Sequence, residues 1–463
     1  MSEFRMKDPI YPEFRIYDYD RLSKLMKSYP VNRLRFIKQL GLKAYSGQFP
    51  SANHTRYEHS IGTMHLSRQL CKQLYDNTSD LDLKGSIKEY QPTIETAALL
   101  HDIGHGPFSH VVDDILEYFG KDHEAITVEI IEKYLADEIK SIDANIDIRD
   151  VCSIILGRNL NHAYLNDIIH GHLDVDRMDY LARDAYFTAT EYQWRAYSFI
   201  QLMRISKIPP RISDEKVEAL HKEIEASQIP KREEITEAIN RIKDLWTDHV
   251  CICNEDGVVH AEMMLITRRT MYENVYYETS SRIAENMISR AIMWMIEQDK
   301  TKESLFLNPE NFVRLDDFEL FALLKNSGGY AEQTVQRIKE GRFFKVILQD
   351  KVASMKRLKD AVARKDRDEI MNINIEVAKE LETDQERVLL DIIKRKGFER
   401  NRVFVQIDDE AKPLEDMSGV IRALINSIEK EMTFGIYVDT EKTQIDDNKL
   451  KKVKNVLRGG EGE

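Results

Sequence analysis

Apolar residues recur at three- and four-residue intervals through most of the chain, the period of a helix with one buried face. Ile61, Met64, Leu70 and Leu74 mark one such face, predicting a helix that follows the turn-rich residues 49–60 and ends near Asp76-Asn77. A polar connection over residues 77–91 leads to a buried helix carrying Ile94, Ala97, Ala98, Leu99 and Leu100. The pattern resumes at Val111, Val112, Ile115 and Leu116, and again at Ala125, Val128, Ile131 and Leu135, with Asp122 a candidate cap. Near the start, an amphipathic stretch from about Tyr19 precedes Leu34, Ile37 and Leu40 at helical spacing, with Gly41 as a helix stop.

The period changes in few places. Residues 250–259 read as a β-hairpin turning on Asp256-Gly257. Residues 402–407 and 434–438 read as strands around a helix at 416–430, making a small α+β terminal module, and the charged run 351–396 reads as helix. Pro209-Pro210 opens a charged helical insertion that extends to about residue 247. The expected fold is mainly α: an all-helical core with a small β-hairpin and a small C-terminal α+β module. The expected divisions are an N-terminal segment (1–50), the core (51–205), an insertion with helices completing the site (206–345), and charged helices with the terminal module (346–463).

Composition narrows the class. A chain of 463 residues with 42% hydrophobic positions can bury more than one core. Its net charge of -13 argues against broad nucleic-acid binding, although a local basic pocket can still hold phosphate. No apolar run reaches the roughly 20 residues that cross a bilayer, and the polar Met1 to Arg5 stretch lacks a signal-peptide core. Four cysteines in so long a chain read as reduced thiols, so a cytoplasmic protein is expected.

The chemistry concentrates at residues 99–110, Leu-Leu-His-Asp-Ile-Gly-His-Gly-Pro-Phe-Ser-His. A buried helix that ends in adjacent His101 and Asp102 loses energy unless something compensates their desolvation. A divalent cation compensates, since imidazole and carboxylate both ligate Zn, Fe or Mn. A second density of ionisable groups lies between His170 and Asp184. There Asp176, Asp179, Tyr180, Arg183 and Asp184 recur at helical spacing beside Leu173, Val175, Met178, Leu181 and Ala182, as in a buried layer rather than a solvated face. Farther on, Arg268, Tyr272 and Tyr276 share a helix face at four-residue spacing.

The order His59, then His101-Asp102, then Asp176 resembles the H…HD…D pattern of HD-domain metal phosphohydrolases, with 42 residues from His59 to His101 and 74 from Asp102 to Asp176. From about Asp8 to Arg342 the chain further resembles the deoxynucleoside triphosphate triphosphohydrolases, the group of the bacterial dGTPases and the SAM-and-HD-domain protein. The likeness rests on Ile37 to Gly41, Arg56 to Ser60, His101 to His110, His123-Glu124, Asp176 to Tyr180, and Arg268 to Tyr276.

The resemblance implies His59, His101, Asp102 and Asp176 as ligands of a divalent metal (Mn, Fe, Mg or Zn). It implies His105, His110 and His123, with Asp113 and Glu124, as the acid–base group, and Arg56, Arg177 and Arg268 as phosphate contacts. Gln39 and Leu40 match base and sugar contacts. Tyr180, Asp184 and Tyr276 match the sugar pocket, with Tyr272 beside them. The implied reaction converts a dNTP to deoxynucleoside and inorganic triphosphate. An activating nucleotide at a second site and a homodimer or homotetramer follow from the same resemblance. Lys7 and Lys27 depart from the activator pattern, whereas Arg35 keeps it. Two other readings stay open: an HD phosphohydrolase acting on a nucleoside monophosphate or signalling nucleotide, and a silent nucleotide- or nucleic-acid-binding protein.

Overall fold

In the computed structural model, residues 7–11, 22–190, 195–208, 247–394, 403–408, 410–427 and 432–460 are described. The polar start, the onset of the amphipathic stretch near Tyr19, the insertion at 209–246 and the last three residues lie outside them.

The core is built on two long helices, Arg56–Asn77 and Leu81–Leu100, packed along each other. The first begins where the Glu58 carboxylate accepts the Thr55 N–H at 3.0 Å, satisfying a donor that a helix start leaves open. The second begins at Asp80, whose carboxylate accepts the N–H groups of Asp82 and Leu83. The expected connection over 77–91 is therefore mostly helix: one capping aspartate outweighs a polar but helix-competent sequence. Val175–Phe187 packs on Arg56–Asn77, while Thr279–Gln298 packs on His110–Tyr118 and on Gly329–Lys339. Before them, Leu34–Phe36 is a 3-10 turn and Lys38 forms an isolated antiparallel bridge with Thr55, so the helical spacing there does not produce a continuous helix.

Two sheets complete the fold. Strands β1 (Met203–Ile208), β2 (Thr247–Ile252), β5 (Phe404–Ile407) and β6 (Glu410–Pro413) lie in that order, with β1–β2 and β5–β6 antiparallel and β2–β5 parallel. Strands β3 (Lys345–Lys351), β7 (Thr433–Val438) and β4 (Val388–Ile393) form an antiparallel sheet with β7 at its centre. The hairpin partner of β2 is thus β1, not residues beyond Asp256-Gly257. Asn254 instead caps a helix, Glu255–Met271, by accepting the Gly257 N–H at 3.1 Å. The charged run 351–396 holds β4 as well as the helices Lys356–Arg364 and Arg367–Glu380. The two strands expected in the terminal module fall in different sheets.

A second small core, including Leu358, Ile373, Phe434, Ile436 and Val453, lies under the β3–β7–β4 sheet. It is tied to the main body by Arg282, whose guanidinium donates to both oxygens of Asp391 on β4. Among the described residues no helix is long and apolar enough to cross a membrane.

Candidate metal centre and its surroundings

His59 lies in the first turn of Arg56–Asn77, His101 at the end of Leu81–Leu100 with Asp102 next to it, and Asp176 in the first turn of Val175–Phe187. Three helix termini therefore bring four residues together. His59 Nε2 is 3.0 Å from Asp176 Oδ1 and 3.6 Å from Asp102 Oδ2. His101 Nε2 is 3.3 Å from Asp102 Oδ1 and 3.5 Å from Asp176 Oδ1.

Hydrogen bonds on the far side of each ring fix the tautomers. His101 Nδ1 is 2.8 Å from the Ala98 carbonyl, which can only accept, so the proton is on Nδ1 and the lone pair of a neutral ring is on Nε2. That buried Nε2 has no hydrogen-bond partner among the described residues. His59 Nδ1 donates to Asp179 Oδ2 at 2.8 Å, leaving its Nε2 toward Asp176. With both rings neutral, two imidazole lone pairs face carboxylate oxygens, an arrangement that repels unless a proton or a metal ion lies between them. The negative surround is also seen in His59, which is pushed up to about 10: burial opposes this, but Asp176 and Asp179 overcome it. The donor atoms of His59, His101 and Asp102 lie close enough together to hold a metal ion, and Asp176 Oδ1 stands 3.0 Å from His59 Nε2, so its donor type and charge suit the same ion.

Asp179 is held in turn. Arg183 donates through Nε and Nη2 to its two oxygens at 2.9 and 3.0 Å, and through Nη1 to Asp8 at 2.9 Å. The chain His59–Asp179–Arg183–Asp8 is buried throughout. Gly62 makes room for it, since a Cβ there would lie 1.9 Å from Asp179 Oδ1.

Beside the metal set lies a second group. His105 Nδ1 donates to Asp113 at 3.1 Å, and its Nε2 is 3.4 Å from Asp102 Oδ1. The His123 ring stacks on His105 at 4.0 Å, and His110, largely exposed, is 3.4 Å from Asp113. Burial, and then the neighbouring His105, press His123 down to about 3. Burial works to raise Asp113, but His105, His110 and His123 outweigh it and hold the carboxyl well below its usual range. Glu124 faces His170, 3.9 Å away.

The arginines are placed differently from one another. Arg56 is buried, donating through Nε to Ser109 Oγ at 2.7 Å and through Nη1 to Asp102. Arg177 contacts the Gly171 carbonyl and Asp174. Arg268 lies 5.2 Å over the Tyr272 ring. Tyr272 and Tyr276 bound a π-helical turn and pack edge to face at 4.9 Å. Tyr180 stands between His59 and Tyr276, at 6.4 and 6.3 Å.

Asp184 accepts from the Tyr276 hydroxyl and from His54 Nε2, each at 2.7 Å. Gln39 is buried next to Leu40, and its side-chain carbonyl has no partner among the described residues. Asp8, next to the departing Lys7, is taken up by Arg183, and Arg35, which keeps the activator pattern, stacks 3.6 Å over Tyr57.

Sequence reasoning puts Asp179 and Arg183 on the dense ionisable face with Asp176 without giving them a role, and does not bring Asp8, His54, Arg33 or Asp317 to this region. Asp179 and Arg183 carried a signal, their helical spacing from Asp176. The others join the site across the fold, where no local pattern marks them.

Residues 56–184 match the HD domain family, and residues 240–458 match the HD associated region. The chain carries an HD domain over residues 56–184. This HD protein is 27% identical over 98% of its length to an uncharacterised protein of Methanocaldococcus jannaschii, covering 83% of that chain. It is 29% identical to the deoxynucleoside triphosphate triphosphohydrolase SAMHD1 homolog of Dictyostelium discoideum, over 47% of this chain and 42% of the relative. The HD protein shares its fold with a hypothetical protein from Aquifex aeolicus of solved structure, with a TM-score of 0.65 and 24% identity over 98% of this chain and 99% of the other.

Proposed function

We propose that the protein is a metal-dependent dNTP triphosphohydrolase, converting a dNTP to deoxynucleoside and inorganic triphosphate. The observation that carries this reading is the contact of two groups: His105 of the His105–Asp113–His123 cluster reaches Asp102 of the metal set at 3.4 Å. A cation held by the metal set would supply Lewis acidity and the cluster offers sites for moving a proton, the two requirements of phosphoester hydrolysis. Likeness to the Dictyostelium triphosphohydrolase over 47% of this chain supports the substrate class.

His59, His101, Asp102 and Asp176 would hold a divalent ion, which when bound would supply Lewis acidity to a phosphoryl oxygen or a water. Asp113 orients His105 by accepting its Nδ1 proton, leaving Nε2 toward the reacting phosphate. Exposed His110 and His123, stacked on His105, are the candidates to protonate the leaving O5′, His123 only where the charge of bound triphosphate offsets the burial that holds it low. Arg177 and Arg268 meet the phosphates, with guanidinium geometry suited to paired oxygens. Arg56 acts from behind, orienting Asp102. The unpartnered Gln39 carbonyl offers an acceptor to the sugar or base, and the Tyr180–Tyr276–Asp184 group closes on the sugar. Self-association as a homodimer or homotetramer, and activation by a second nucleotide, belong to the same reading.

The deciding experiment incubates metal-replete protein with each dNTP and with all four, resolving products by ion-exchange chromatography. Deoxynucleoside and triphosphate are expected, and Asp176→Ala should abolish both. Release of monophosphate or orthophosphate instead would favour another phosphoester substrate, and absence of any product with Mn, Mg and Fe would refute the proposal.

A further inference from the structure

The loop between His105 and His110 has an uncommon backbone. Phe108 and Ser109 both adopt positive φ, 53° and 51°, and Ser109 has ψ of -102°. Residues with side chains occupy such conformations only where their surroundings impose them. What imposes them here comes from outside the HD region.

Asp317 is a buried carboxylate in the first turn of Asp317–Asn326, within the associated region. It does not serve as the helix cap: Asp316 does, accepting the Phe318 and Glu319 N–H groups. Asp317 turns inward, where Oδ1 accepts the Phe108 N–H at 2.7 Å and Oδ2 accepts the Lys38 N–H at 3.0 Å.

The Lys38 peptide is held on its other side too, since its carbonyl accepts from Ser109 Oγ at 2.9 Å. Gly41, three residues on, approaches so closely that a Cβ there would lie 2.8 Å from the Phe108 carbonyl. Arg33 braces the same region, donating to the carbonyls of Leu315, Ile103 and His105 at 2.7, 2.7 and 2.9 Å. One carboxylate therefore joins the strained loop that follows His105 to the segment that carries Gln39 and Leu40.

We propose that Asp317 is a positioning residue: it sets the His105–His110 loop and registers it against residues 38–40, so that the associated region completes the geometry of the HD site. The inference rests on the proposed hydrolase activity only for its kinetic readout. Two N–H donors require two acceptor oxygens. Asparagine offers one oxygen and an NH2 group that confronts the second N–H, so Asp317→Asn breaks one link while conserving volume.

The test compares full-length wild type, Asp317→Asn and the cap variant Asp316→Asn, all metal-loaded, by hydrogen exchange and steady-state kinetics. In Asp317→Asn, peptides containing Lys38 or Phe108 should lose protection, while the Arg56–Asn77 helix and manganese stoichiometry stay unchanged. Triphosphate release should fall by about tenfold to a hundredfold in kcat, the scale expected for a displaced reacting group. KM for dNTP should also rise, which a mere loss of folded enzyme would not cause. Asp316→Asn should change neither peptide.

Unchanged exchange in both peptides, or a fall in kcat with KM fixed, would overturn the proposal. Should wild type release no triphosphate, the activity is refuted separately, and the exchange result still decides the role of Asp317. If Asp317→Asn does not fold, Asp317→Ser is read by the same criteria.

Discussion

Asp179→Asn separates the support of a metal ligand from the stability of a buried ion pair. The Asp179 carboxylate accepts from His59 Nδ1 at 2.8 Å and from two nitrogens of Arg183 at 2.9 and 3.0 Å. Asparagine keeps the volume but replaces one acceptor with a donor, so one of these partners meets an NH2 group. Breaking a buried pair by neutralising one member costs about 3–5 kcal/mol. Arg183 keeps Asp8 at 2.9 Å, so the lower end, about 3 kcal/mol, is expected for the metal-free protein.

The second loss is in metal affinity. Removing the carboxylate behind a ligating histidine typically weakens binding by about tenfold to a hundredfold. At a metal concentration about 100 times the wild-type Kd, the bound ion stabilises wild type by about 2.7 kcal/mol, and a tenfold weaker variant by about 1.4 kcal/mol. Urea unfolding with and without manganese measures both quantities, and calorimetric titration gives Kd directly. If Asp179→Asn loses apo stability but binds manganese as tightly as wild type, Asp179 serves Arg183 alone and the account of His59 fails. If apo stability is unchanged, the buried pair is worth far less than its geometry indicates.

Two further outcomes follow from neighbouring residues. Gly62→Ala improves helix propensity by about 1 kcal/mol, but its Cβ would lie 1.9 Å from Asp179 Oδ1 and 2.5 Å from Arg183 Nη2. Overpacking of about 1–3 kcal/mol or more should win, lowering Tm and weakening manganese binding together; a raised Tm would show that the pair moves aside freely. His65, buried and 2.5 Å from the Tyr197 hydroxyl, is pushed by burial down to about 4. The unfolded chain takes up this proton below about pH 6.5, so its contribution is complete above that pH and is lost as pH falls toward 4. A difference of about 2.5 pK units corresponds to about 3 kcal/mol. Unfolding free energies should therefore fall more steeply over this window in wild type than in His65→Gln, and parallel profiles would contradict the reading.

The sequence by itself determined the helical core, because apolar spacing specifies which face of each helix is buried before any partner is known. It also singled out His59, His101, Asp102 and Asp176. An uncompensated His-Asp pair at the end of a buried helix is too costly to be incidental, and the family pattern supplied the other two. Local reading failed where capping or pairing competed with periodicity. Asn254 turned an expected hairpin into a helix start, Asp80 extended a helix into an expected connection, and β4 was hidden within a charged run.

Only the tertiary structure decided which residues support the proposed ligands. Asp8 reaches Arg183 across 175 positions of sequence, and Asp317 reaches Phe108 across 209. Neither has a neighbour in sequence that reveals its role, because a buried carboxylate is satisfied by whichever donors the fold brings to it. The proposed ligands are legible because their chemistry is unusual at their own positions. Their supports are ordinary aspartates and arginines until the chain is folded.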